Sequence, residues 1–148
     1  MLSSQPTKSA SFAAACTTPA QQAAERNKAN VLAFYELAFN QHKLQEAVDQ
    51  YISSEYRQHN PEVADGGQAF IDAFAPYLKA TPNARAHIKR VAAEGDLVWL
   101  HVHSQSDAQD RGQAVVDIFR LDNHGKIIEH WDVIQNVPEK TASGRGMF

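Results

Sequence analysis

Apolar positions in this chain recur at helical spacing in its first half and at a spacing of two in its second, with the change falling at Thr81-Pro82. Val31, Leu32, Tyr35, Ala38 and Phe39 mark one helix that runs to Asn40. Its start is written in Thr18-Pro19-Ala20-Gln21: a Thr N-cap, Pro at the first helical position and a Gln that completes a capping box. A shorter helix is predicted over residues 43–51, with Leu44, Ala47, Val48 and Tyr51 on one side. The segment from Tyr56 to Asn60 leaves the helical pattern, and Pro61 disfavours helix at the residue before it. After the Gly66-Gly67 break a third helix puts Phe70, Phe74, Tyr77 and Leu78 inward and ends at Thr81-Pro82.

From Ala84 onward the spacing predicts four strands, over residues 84–93, 97–106, 113–121 and 126–137, joined by polar turns that each contain Gly. Helices followed by an antiparallel meander are the α+β pattern, with three N-terminal helices on one face of a curved antiparallel sheet. One domain is expected over residues 19–138. A Ser/Thr/Ala-rich arm (1–18) precedes it, read as mobile because it has little to bury. A polar tail (139–148) follows and ends in Met147-Phe148.

The last two strands hold the most informative polar residues. Alternation along a strand puts Val115, Asp117, Phe119 and Leu121 on one face. In the next strand Ile128, His130, Asp132 and Ile134 share a face. An ionisable group inside an apolar row is costly unless paired, hydrogen-bonded or wet, so this hairpin is expected to wall a pocket. There His130 and Asp132 supply the residue types of general acid/base chemistry; the alternative leaves Asp132 capping a strand edge while Trp131 fills the core. Asp117 reads either as a pocket acid or as a partner for Arg120 or Arg90. His59-Asn60, before Pro61, reads either as pocket lining or as a turn bonded to its own backbone. His101 and His103 point the same way as Trp99 and could form half of a metal site, with a third ligand from His59, His130, Asp117 or Asp132; the commoner role is on a half-exposed sheet face.

Composition narrows the partners. A chain of 148 residues with a net charge of −3 and no Lys/Arg cluster disfavours nucleic acid. No apolar run approaches the roughly 20 residues of a membrane span. A single cysteine, Cys16, excludes an internal disulfide. A cytoplasmic location is expected; the alternative is a lipoprotein-like processing site ending at Cys16. Gly-rich phosphate loops, Gly-x-Ser-x-Gly and paired cysteines are missing, and neither a cofactor nor a metal is expected.

Two strings carry a family resemblance: Val-Asp-Ile-Phe-Arg-Leu…Gly-Lys-Ile-Ile-Glu-His-Trp-Asp-Val-Ile-Gln in the hairpin, and Tyr56-Arg-Gln-His-Asn-Pro61 upstream. From about Asn27 onward the chain resembles the SnoaL-like polyketide cyclases of the NTF2-like superfamily. The resemblance implies a cone-shaped fold around one apolar pocket, and an aldol-type or isomerase-type proton transfer on an apolar carbonyl compound. It matches Asp132 to the acid/base residue, and places Asp117 where the cyclases are expected to carry a pocket histidine. On this reading His130, Asp132 and Asp117 move or place the proton. His59, Asn60, His101 and His103 orient oxygens, while Trp99, Phe119, Tyr35 and Phe74 shape the walls. The resemblance also implies a homodimer through the outer sheet face, and a tail folded over a pocket or a partner subunit. A binding module without turnover and a histidine-based metal enzyme are the competing readings.

Overall fold

The computed structural model describes residues 16–148. The arm read over residues 1–18 lies outside the described residues except for its last three, which carry no regular structure and include the exposed Cys16. Helix α1 (Pro19–Tyr35) opens with the capping box: Gln21 N–H donates to Thr18 Oγ1 at 3.2 Å, and Thr18 N–H to Gln21 Oε1 at 2.7 Å. At its end the helix widens into a π-turn, Glu36–Asn40, closed by Gln41 N–H on the Glu36 carbonyl. Such a turn inserts one residue into the helical phase. Here the rings of Tyr35 and Phe39 lie 4.7 Å apart and line one cavity.

Helices α2 (Leu44–Tyr51) and α3 (Gly67–Ala80) complete the helical layer. The sheet comprises β1 (Ile52–Gln58), β2 (Arg85–Glu94), β3 (Leu97–Gln105), β4 (Gln113–Leu121) and β5 (Ile127–Asn136), in the spatial order β1-β5-β4-β3-β2. It is open, and the helices pack on one face of it. Val98, Leu100 and Val102 alternate along β3 at 0%, 1% and 0% exposure, in one core with Val31, Phe34 and Phe119. Each fully buried aliphatic or aromatic side chain of this kind contributes about 1.5–3 kcal/mol. That row fixes the facing of the strand: whatever sits between these residues points to the other side.

The sequence predicts four antiparallel strands; the sheet is a mixed one of five. The addition is β1, which runs parallel to β5, pairing at Ile52 with Ile127 and again at Arg57 with Glu129. Its sequence, Ile-Ser-Ser-Glu-Tyr-Arg-Gln, buries only Ile52 and Tyr56, so no alternation betrays it. Its order comes from a distant partner instead. A second difference lies in β5. Arg120 pairs with Glu129 but Leu121 with Ile127, so Ile128 is the extra residue of a bulge. Ile127, not Ile128, therefore joins His130 on the core side, at 0% and 7% exposure.

The β4–β5 turn is tight. Asp122 Oδ1 accepts from the amides of His124 and Lys126, and Gly125 takes φ +77° with its carbonyl on Asn30 Nδ2 at 2.9 Å. A Cβ on Gly125 would lie 2.6 Å from that same Nδ2, so α1 clamps the turn through a glycine.

Candidate active site

Strand pairing sets the site. Asp117 on β4 lies directly opposite Asp132 on β5, and Phe119 opposite His130. Like charges at facing positions are destabilising unless compensated. Asp117, 4% exposed, has two partners: Tyr35 OH donates to Oδ2 at 2.7 Å, and His130 Nε2 meets Oδ1 at 2.7 Å. Asp132, half-buried, accepts from Asn60 Nδ2 at 2.7 Å. The amide of Asn60 cannot turn round, because its Oδ1 accepts from Glu62 N–H at 2.9 Å.

The remaining nitrogen of His130 defines the tautomer. Nδ1 lies 2.7 Å from Gln58 Oε1, and that oxygen also accepts the backbone N–H of Asn60 at 2.9 Å. A backbone N–H can only donate, so the atom between them is the amide oxygen and His130 Nδ1 carries a hydrogen. Gln58 Nε2 in turn donates to Tyr56 OH at 2.9 Å. The 2.7 Å contact from Nε2 to Asp117 is then a hydrogen bond holding one proton between imidazole and carboxylate. Tyr35 and Tyr56 both have their phenol pKa pushed up, first by burial and then by the negative charge of Asp117. Both remain neutral hydroxyls.

These groups line a cavity of about 360 Å³ whose other walls are largely apolar, with the rings of Phe34, Phe39, Phe70 and Phe74 among them. Of the residues singled out in the sequence, Asp117, His130, Asp132, Asn60, Tyr35, Phe74 and Phe119 line it. Four do not. His59 points away from Asn60 and stacks on Trp131, with ring centroids 4.9 Å apart, its Nε2 on Glu129 Oε1 at 2.8 Å. Trp99, His101 and His103 occupy the opposite face of β3, because Val98, Leu100 and Val102 take the inner one. On that outer face Arg90 donates to His101 Nδ1 at 2.9 Å, and His103 Nε2 donates to the Arg111 carbonyl at 2.7 Å. Phe148 stacks on His103 at 4.4 Å, so the tail folds over the outer sheet and not over the cavity.

A metal site built on His101 and His103 therefore has no access to Asp117, His130 or Asp132. Among the described residues the group that could hold an ion is those last three, whose nearest ligand atoms lie within 4.8 Å of one another. Two ligands each about 2.1 Å from one ion sit roughly 3 Å or more apart. At 2.7 Å the Asp117 and His130 atoms are bonded to each other instead.

The sequence places Tyr56 and Gln58 in the string that carries the family resemblance, and Phe39 on a helix face, without giving any of them a role at the site; Phe34 it does not single out. The available signal for Gln58 was alternation: Gln58 and Asn60 share one side of the chain, and His59 takes the other.

A family model for the SnoaL-like domain matches residues 31–130. The chain belongs to the SnoaL-like family. Among solved structures, this SnoaL-like protein is similar to a candidate polyketide cyclase from Bacillus cereus, at 21% identity and a TM-score of 0.66 over 78% of each chain. It is also similar to a candidate SnoaL-like polyketide cyclase from Jannaschia, at 18% identity and a TM-score of 0.65, over 82% of this chain and 92% of that one. A third is a candidate isomerase of the SnoaL-like family from Agrobacterium tumefaciens, at 16% identity and a TM-score of 0.61, over 77% and 98%. At these identities the likeness establishes the fold, an NTF2-like α+β cone with helices packed on a curved sheet. Among curated proteins nothing matches. No helix among the described residues is long and apolar enough to cross a membrane.

Proposed function

We propose that the cavity carries out acid/base chemistry of the aldol or isomerase type on an apolar carbonyl compound. The observation that supports this most is the pairing, in the wall of one cavity, of a carboxylate that accepts a single hydrogen bond from the described residues with a His–Asp pair that holds a proton. Asp132 is the base, removing a proton from the carbon next to the carbonyl. The proton held between His130 Nε2 and Asp117 passes to the carbonyl oxygen. One proton arrives at the site as another leaves, so its net charge stays constant while an enol forms. That matters where two carboxylates face each other: a bare enolate about 4 Å from a carboxylate costs about 4 kcal/mol at an effective dielectric of 20. The enol then takes its proton back at another carbon, or attacks a second carbonyl. Tyr56 OH, whose only hydrogen bond among the described residues is the one it accepts from Gln58, has a hydrogen free for the oxygen. Exchange of carbon-bound hydrogen for deuterium in apolar ketones, followed by proton NMR, tests this reading without knowledge of the natural substrate.

The partner reading also becomes a proposal. Trp99, Ile118 and Trp131 form one cross-strand row on the outer sheet face. Val116 and Val133 lie beside it at 39% and 69% exposure. We infer a homodimer through this face. Sedimentation equilibrium of Val133→Lys is expected to show monomer under conditions where the wild type is dimeric; a monomeric wild type at about 100 μM overturns the proposal.

A further inference from the structure

The cavity wall is electrostatically one-sided. It carries three carboxylates, Asp117, Asp132 and Glu62, and among the described residues that line it there is no lysine or arginine. The one imidazole, His130, has both nitrogens engaged, Nδ1 on Gln58 and Nε2 on Asp117. Asp117 is likewise held at both oxygens, by His130 and Tyr35. Asp132 is different. Among the described residues its one hydrogen bond comes from Asn60 to Oδ2, and Oδ1 receives none. A carboxylate in a partly desolvated aromatic cavity with one oxygen unserved attracts a donor, most strongly a charged one.

The rest of the wall suits the same ligand. Phe39, Phe70 and Phe74 form a contiguous cluster, with centroids 5.9 Å apart for Phe39 and Phe70, 5.2 Å for Phe39 and Phe74, and 4.8 Å for Phe70 and Phe74. Ring faces attract cations as well as apolar surface, and aromatic enclosures recognise organic ammonium groups. An anionic ligand would meet Asp132 and Glu62, the two carboxylates outside the proton-holding Asp117–His130 pair, with no lysine or arginine to receive it. We infer that the ligand of this cavity is an apolar amine, bound as its ammonium ion with N–H donated to one lone pair of Asp132 Oδ1, the second lone pair staying open to the proton on carbon, and with its carbon skeleton against the phenylalanine cluster. This rests on the proposed active site in taking the cavity as the place where substrate binds, and it specifies the substrate class: a carbonyl compound that bears an ammonium and no carboxylate or phosphate. A divalent cation is disfavoured as the occupant, because it would have to part the bonded Asp117–His130 pair.

The test is calorimetric titration at neutral pH with three probes of one skeleton: 3-phenylpropylamine, 3-phenylpropan-1-ol and 3-phenylpropanoate. The amine is expected to bind at least about tenfold more tightly than either of the others, about 1.4 kcal/mol. Asp132→Asn is expected to abolish that preference while leaving the alcohol within about twofold. Asn keeps the shape of the side chain, and a thermal melt matching the wild type shows that the variant is folded. Equal binding of amine and alcohol overturns the inference, as do tighter binding of the carboxylate, a preference that survives Asp132→Asn, or no binding of any probe at about 10 mM. Titration with zinc or manganese forms a separate arm; metal binding lost in Asp132→Asn without any amine preference makes this an ion site and also overturns it. Deuterium exchange into neutral ketones reports the acid/base reading separately. Exchange without amine preference sinks only the ligand class, and amine preference without exchange sinks only the chemistry.

Discussion

Gln58→Leu probes the arrangement at its least obvious point. The side chain of Gln58 bonds three groups at once: His130 Nδ1–H, Asn60 N–H and Tyr56 OH. Leucine fills nearly the same volume and offers none of these partners. Asn60 is only half-buried, so water can replace the lost acceptor at its N–H. His130 is 7% exposed, and its Nδ1–H is left without a partner. A buried donor left unsatisfied costs about 1–3 kcal/mol. Urea unfolding of Gln58→Leu is therefore expected to lose about 1–3 kcal/mol with an unchanged m value. The more specific readout is the imidazole itself. Long-range proton–nitrogen NMR of the wild type is expected to show hydrogen on His130 Nδ1, and Gln58→Leu to lose that preference. Gln58→Glu, which keeps an acceptor in place, is expected to retain it. Wild-type stability together with an unaltered His130 tautomer in Gln58→Leu would refute the claim that this amide orients the histidine.

Leu100→Ala removes a 1%-exposed side chain from the centre of the core and is expected to cost about 2–5 kcal/mol in urea unfolding. Tyr35 and Tyr56 give a pH signature. Their folded pKa values are raised, by burial first and Asp117 second, so their contribution to stability is complete below the unfolded value of about 10 and is lost as pH climbs through the folded values. Unfolding free energies measured by urea are expected to fall above pH about 10, less steeply in Tyr56→Phe, with phenolate absorbance rising as the chain unfolds. His101→Ala and His103→Ala, on the outer face, are expected to leave ligand binding in the cavity within about twofold by calorimetry.

Much of this was legible in the chain because local rules carried it. The Thr18–Gln21 capping box, the break at Pro82 and the meander after it are local, and each forms as its residues dictate. The hairpin pattern brought Asp117, His130 and Asp132 to one face because alternation holds from Glu129 onward. It failed at Ile128, where a bulge breaks the phase, and this bulge carries no glycine that would mark it in the sequence. For β3 the period was clear but its facing was not: His101-Val102-His103 alternates equally well either way. Three aliphatics decide it by claiming the core, which sends both histidines and Trp99 outward. Strand β1 was hidden because its order comes from a parallel partner far along the chain, and Gln58 was hidden with it.

The central claim is that Asp132 moves a proton at carbon, and deuterium exchange measures that most directly. Wild-type protein and Asp132→Asn would each be incubated in deuterium oxide with a panel of apolar ketones, including amino ketones, and the carbon-bound hydrogens next to the carbonyl followed by proton NMR. Asn preserves the bond geometry toward Asn60 but cannot accept the proton, so wild-type protein is expected to accelerate exchange and the variant to lose at least about a hundredfold of that rate, within the usual range for a general base. Equal exchange by the two proteins would contradict the role given to Asp132.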